Sequence, residues 1–105
     1  MQLLCPSADL IEGQSLSLRA QNMALFAVRK AGVAYVYRNR CPHRGVPLNW
    51  QPNGFLDESA AVIRCASHGA LFNVHDGECI SGPCQGQELE RIDCREDAQG
   101  VWGDV

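Results

Sequence analysis

Two short stretches of the chain each place a soft sulfur donor beside an imidazole. Cys41-Pro42-His43-Arg44-Gly45 holds its pair one residue apart, and Cys65-Ala66-Ser67-His68-Gly69 has two residues between. The pattern is C-x-H, 21 intervening residues, then C-x-x-H, with a glycine shortly after each histidine. Thiolate and neutral imidazole are donors for zinc and iron–sulfur centres. Six cysteines (5, 41, 65, 79, 84 and 94) in 105 residues also invite a disulfide reading. The N-terminus, MQLLCPSADL, lacks the basic start and apolar stretch of an export signal. The expectation is therefore a cytoplasmic protein in a reducing compartment, where clustered Cys and His more often bind metal.

Ligands of this kind need rigid elements behind them. MALFAVRK (23–30) and VAYVYRNR (33–40) have strand composition and flank Ala31-Gly32, which predicts a tight hairpin. AAVIRC (60–65) and ALFNV (70–74) predict two further strands, so both Cys–His pairs follow a strand, as loop ligands on a β scaffold would. His75-Asp76-Gly77-Glu78 supplies a turn, ELERIDC (88–94) alternates less regularly, and GVWGDV (100–105) reads as a closing strand. SADLIEGQ (7–14) predicts a single helical turn capped by Ser7. No segment keeps a 3.6-residue apolar period for three turns, and the expectation is one all-β domain over 1–105.

Charge and hydropathy exclude two classes of partner. Nine Lys and Arg against twelve Asp and Glu give a net charge of −3, and the basic residues are scattered rather than clustered, unlike a nucleic-acid surface. No apolar run approaches the roughly 18 to 20 residues that a membrane helix needs.

With both pairs in view, the chain resembles the Rieske iron–sulfur family, and within it a small stand-alone ferredoxin. CPHRGVPL, CASHGALFNVHDGECISGP and the Gly82-Pro83 loop carry the resemblance, strongly over 41–84 and more loosely elsewhere. It implies an antiparallel β-sandwich with a small cluster-binding subdomain, approximately 41–84, that carries two ligand loops. It also implies one [2Fe–2S] cluster, with Cys41 and Cys65 on one iron and His43 and His68 on the other. Each loop then serves both irons, whereas a mononuclear zinc site more often pairs like ligands. Arg44, Gly45, Gly69 and Pro83 would surround the ligands.

The resemblance implies a cytoplasmic one-electron carrier, not an enzyme. Its partners would be a flavin-dependent reductase upstream and an oxygenase or other terminal acceptor downstream, with no nucleic acid and no membrane. Two ferric ions, two sulfides and two thiolates sum to no net charge, so histidine ligation raises the potential into a span of roughly −150 to +300 mV. High-potential members tie their ligand loops with a disulfide and place Ser and Tyr hydroxyls near the cluster. The matching positions here are Val46 and Ser67, and Ala70 and Phe72, which predicts a low-potential centre. The alternatives are a zinc-stabilised Cys2His2 interaction module and the Rieske-like small subunit of a nitrite reductase.

The gap between the two pairs is several residues longer than in compact family ferredoxins, with the excess in NWQPNGFLDES (49–59). Trp50 is expected to pack over the cluster subdomain, an exposed partner contact being the alternative. Cys79 and Cys84 are expected to be buried free thiols rather than a redox pair. Cys5 and Cys94 read as structural, His75 as a solvated turn residue, and the acidic DESA and REDAQG patches as solvated loops.

Overall fold

The computed structural model describes residues 1–42 and 45–105. Its strands are β1 (Gln2–Cys5), β2 (Ser15–Ala20), β3 (Met23–Lys30), β4 (Val33–Arg38), β5 (Val62–Arg64), β6 (Leu71–Asn73), β7 (Cys79–Ser81), β8 (Arg91–Ile92), β9 (Cys94–Glu96) and β10 (Val101–Gly103). They form three antiparallel sheets, ordered β1-β10-β9, β2-β3-β4-β8 and β5-β6-β7. The all-β expectation holds.

The apolar run Met23 to Val28 explains the layering, because a strand that is apolar on both faces must be covered on both. Phe26 and Val28 on β3 join Tyr37, Phe55, Ile63 and Phe72 in one core, against the β5-β6-β7 sheet. Leu25 and Ala27, pointing the other way, join Cys5, Leu10, Val36 and Val101 in a second core. The Phe26 and Phe55 rings stack at 4.3 Å, and the Tyr37 hydroxyl donates to the Val74 carbonyl at 2.5 Å. The middle sheet is thereby bolted to the sheet that carries the second ligand loop.

The predicted hairpin forms between β3 and β4. Ala31 and Gly32 both have positive φ, 53° and 78°, and the Glu12 carboxylate accepts both of their N–H groups at 2.8 and 2.7 Å. Elsewhere the chain departs from expectation. Residues 88–94 are not one strand: Ile92 pairs with Val36 on β4, while Cys94 pairs with Gly103 on β10, so the chain changes sheet at Asp93. β1, β2 and β7 are additional strands, although Leu16 and Leu18 alternate with Ser15, Ser17 and Arg19 as a half-buried strand should.

Among the described residues, helical structure is limited to a 3-10 turn at Ser7–Asp9, the single turn expected within 7–14, but Ser7 does not cap it. Pro6 precedes the turn, and the Ser7 carbonyl accepts the Leu10 N–H at 3.2 Å. The long segment 49–59 is anchored at Asn53, whose Oδ1 accepts the Ser17 N–H and whose carbonyl accepts the Ser15 hydroxyl, both at 2.6 Å. Those bonds run along the free edge of β2, and they deliver Phe55 into the core.

Candidate metal centre

The two loops that carry the predicted ligands close by the same pair of backbone hydrogen bonds. In the first, the Cys41 N–H donates to the Val46 carbonyl and the Gly45 N–H to the Cys41 carbonyl, each at 2.7 Å. In the second, the Cys65 N–H donates to the Ala70 carbonyl at 2.9 Å and the Gly69 N–H to the Cys65 carbonyl at 2.8 Å. Gly45 and Gly69 have φ of 71° and 70°. This left-handed backbone disfavours a residue with a Cβ, which is why a glycine follows each histidine. Each loop is a short ring with a cysteine at its base.

Other residues lock the rings together. The Ala66 N–H donates to the Leu48 carbonyl at 2.7 Å, directly linking the second loop to the chain just after the first. Asn39 holds that chain: its Oδ1 accepts the Leu48 N–H at 2.8 Å, its amide donates to Asn49, and its own N–H reaches Ala24 on β3. The role of Asn39 was not read from the sequence, where an amide ending a strand before the first loop was its only signal. At the far side, a Cβ on Gly82 would lie 2.8 Å from the Ala70 Cα. The proline-bearing loop rests on the second ring through that glycine, while Pro83 itself is exposed.

At the meeting point of the loops, Cys41 Sγ, Cys65 Sγ and a His68 ring nitrogen all lie within 4.8 Å of one another. Both cysteines are fully buried and His68 is half-buried, so the group opens to solvent on the histidine side. Cys65 Sγ and His68 Nδ1 are 3.8 Å apart. Burial pushes the Cys65 thiol up, and the backbone N–H groups of His68 and Ser67, which bond its sulfur, pull it down. Those two amides would stabilise a thiolate once a cation supplies the remaining charge. Two soft sulfurs and an imidazole with no carboxylate among the described members suit an iron–sulfur or zinc centre, not a hard cation. His43 and Arg44 lie outside the described residues.

The remaining expectations divide. Trp50 does not pack over the subdomain: it is 75% exposed and touches the second loop through one bond, from its indole N–H to Ser67 Oγ at 3.2 Å. Cys79 and Cys84 are buried, as expected, but their sulfurs face each other at 3.4 Å. Cys5 is buried in the second core, and Cys94 bonds the Ala34 carbonyl. His75 is an exposed turn residue beside Asp76. The acidic patches are more than solvated loops. Asp57 caps its own turn through Ser59 and Ala61, and Asp97 does so through Gln99 while also accepting the Trp102 indole N–H.

Residues 1–95 match the family model of the Rieske [2Fe-2S] domain. The chain belongs to the Rieske family. Domains of this family hold one [2Fe–2S] cluster on two cysteines and two histidines, and the gathered donors Cys41, Cys65 and His68 fit that requirement. The Rieske chain is 31% identical over 80 residues to apoptosis-inducing factor 3 of Mus musculus and of Homo sapiens. That match covers 76% of this chain but 12% of either relative. Among solved structures, the Sphingomonas yanoikuyae B1 ferredoxin is 25% identical with a TM-score of 0.79, over 98% of this chain and 96% of that one. The terminal oxygenase of carbazole 1,9a-dioxygenase from Novosphingobium sp. KA1 shares the fold with a TM-score of 0.84, at 24% identity, over 98% of this chain and 29% of that one. No helix among the described residues is long and apolar enough to cross a membrane.

Proposed function

We propose that this Rieske protein is a low-potential one-electron carrier. It takes electrons from a flavin-dependent reductase and delivers them to an oxygenase or another terminal acceptor. The observation that carries this reading is the meeting of Cys41, Cys65 and His68 on two matched loops, with the histidine toward solvent. We assign Cys41 and Cys65 to one iron and His43 and His68 to the other. The similarity to a ferredoxin over nearly the whole of both chains supports the carrier assignment. Solved complexes of oxygenase and ferredoxin in carbazole 1,9a-dioxygenase, to which this chain is also similar, support the choice of acceptor.

When bound, the cluster accepts and releases a single electron with no transfer of atoms. The chain's own residues do the rest. The closed backbone rings hold the cysteines in one geometry, which keeps rearrangement on charge change small. Leu48, Phe55, Ala70 and Phe72, all fully buried, keep water from the cysteine side. His68, half-buried, leaves a short path to a docked partner. Ala70 and Phe72 offer no hydroxyl to the site, and Val46 and Ser67 cannot form a disulfide, so negative charge on the sulfurs is stabilised mainly by backbone amides. These features support the low-potential reading. Within this reading the chain is a single unit over 1–105, its cluster-binding part is approximately 41–84, and it works in the cytoplasm, where thiols stay reduced.

Purified protein tests the proposal directly. Iron and acid-labile sulfide in equal amounts, a reddish-brown colour that bleaches on reduction, and a midpoint potential below zero are expected. A colourless protein holding zinc, or a midpoint well above zero, would refute it.

A further inference from the structure

The loop beside the centre holds a second pair of sulfurs that electron carriage does not use. Cys79 opens β7 and Cys84 follows Pro83, with their Sγ atoms 3.4 Å apart and the residues 3% and 1% exposed. Their backbones are already bound to a common residue: the Cys79 N–H donates to the Gln87 carbonyl, and the Gln87 N–H donates to the Cys84 carbonyl, both at 2.9 Å. The segment between them, Ile80 to Pro83, is exposed throughout, so the pair is tied to the core by its two ends. A disulfide needs its sulfurs at about 2.05 Å, which is about 1.4 Å closer than they stand. Side-chain rotation at the two ends of an exposed four-residue segment can supply that movement.

We propose that Cys79 and Cys84 are a redox modification site that closes to a disulfide on exposure to hydrogen peroxide. The Cys84 thiol donates toward Cys79 Sγ, while Cys79 bonds the Ser81 carbonyl. Cys79 accepts the Cys84 thiol's hydrogen bond and is the less deeply buried of the two, 3% against 1% exposed, so Cys79 attacks first. The Cys79 sulfur displaces water from the peroxide as the O–O bond breaks, and becomes a sulfenic acid. The Cys84 sulfur then attacks that sulfur, the S–S bond forms, the S–O bond breaks, and a second water leaves. One peroxide is reduced to two waters and two thiols are oxidised, with no electron drawn from the cluster. Because Gly82 lies between the pair and presses on Ala70, closing the disulfide tightens the loop against the second ligand ring.

The test reads mass and so does not depend on whether the protein carries electrons. Holoprotein is treated with graded hydrogen peroxide, denatured, alkylated and cut after glutamate. Cleavage after Glu78 and Glu88 releases residues 79–88, which contain Cys79 and Cys84 and no other cysteine. This peptide is expected to lose about 2 Da and to take up no alkyl group, with two alkyl groups recovered after dithiothreitol. In Cys84→Ser the loss must vanish and Cys79 must yield a trappable sulfenic acid. The proposal is overturned if the peptide keeps two alkyl groups at doses that already oxidise Cys94. Linkage of Cys79 or Cys84 to another peptide, or an unchanged loss in Cys84→Ser, would overturn it equally.

Discussion

Trp50 donates its indole N–H to Ser67 Oγ at 3.2 Å, yet three quarters of its surface faces solvent. On the family resemblance, Ser67 matches one of the two positions at which high-potential Rieske proteins bridge their ligand loops covalently. Here a hydrogen bond from the long 49–59 segment reaches the second loop at that position. An exposed bond of this kind contributes at most about 1 kcal/mol. Trp50→Phe and Ser67→Ala should each lower stability to urea by that much or less, and the double variant by no more than either single one. Bleaching in air, followed by visible absorbance, should accelerate in all three.

Gly82 and Gly86 separate backbone strain from steric displacement of the site. Both have positive φ, 101° and 92°, so alanine at either should cost about 1 kcal/mol. Only at Gly82 does the new Cβ meet backbone, 2.8 Å from the Ala70 Cα, whereas nothing lies within 4 Å at Gly86. Gly82→Ala should therefore be the less stable variant and should alter the visible and paramagnetic spectra of the centre. Gly86→Ala should leave those spectra unchanged.

Hydroxyls returned to the centre should raise its potential. Ala70 and Phe72 are fully buried beside the second ring and carry no donor. Phe72→Tyr or Ala70→Ser should lift the midpoint by an amount on the order of tens of mV, equivalent to one net hydrogen bond to the reduced state. Electrochemical titration of the variants against the parent decides this. An unmoved midpoint in both would remove the missing hydroxyls as the cause of a low potential.

Acid should act at the ion pair of Arg29 and Glu96. Arg29 grips the Glu96 carboxylate with two nitrogens, at 2.6 and 2.9 Å, while its Nε bonds the Leu10 carbonyl. The guanidinium, helped by Ser7, holds the Glu96 carboxyl down to about 2 from its ordinary 4.5. A carboxyl lowered in the folded state stabilises the fold fully above its unfolded value and loses that contribution as pH falls from about 4.5 through about 2. Glu96→Gln should cost up to about 1 kcal/mol at neutral pH, the upper range for a partly exposed pair. The difference from the parent, measured by urea denaturation at stepped pH, should shrink across that window.

Short-range features of the chain determined a good deal on their own. The two Cys–His spacings, with a glycine after each, marked both ligand loops, because a ring closed over five or six residues is set by its own backbone. The apolar run from Met23 to Val28 marked the strand that needs cover on both faces, and Ala31-Gly32 marked its hairpin. Relations between distant segments were decided only by the tertiary structure. Residues 88–94 alternate weakly, so Ile92 and Cys94 were divided by two competing partners, Val36 and Gly103. Trp50 was left in water because Asn53 docks on β2 and Phe55 takes the core position that a large aromatic would otherwise claim. Cys79 and Cys84 read as two more small buried residues until β7 and the turn after Pro83 folded onto Gln87 and set their sulfurs face to face. Burial and cross-strand pairing depend on what arrives from elsewhere in the chain, and a local pattern carries no record of that.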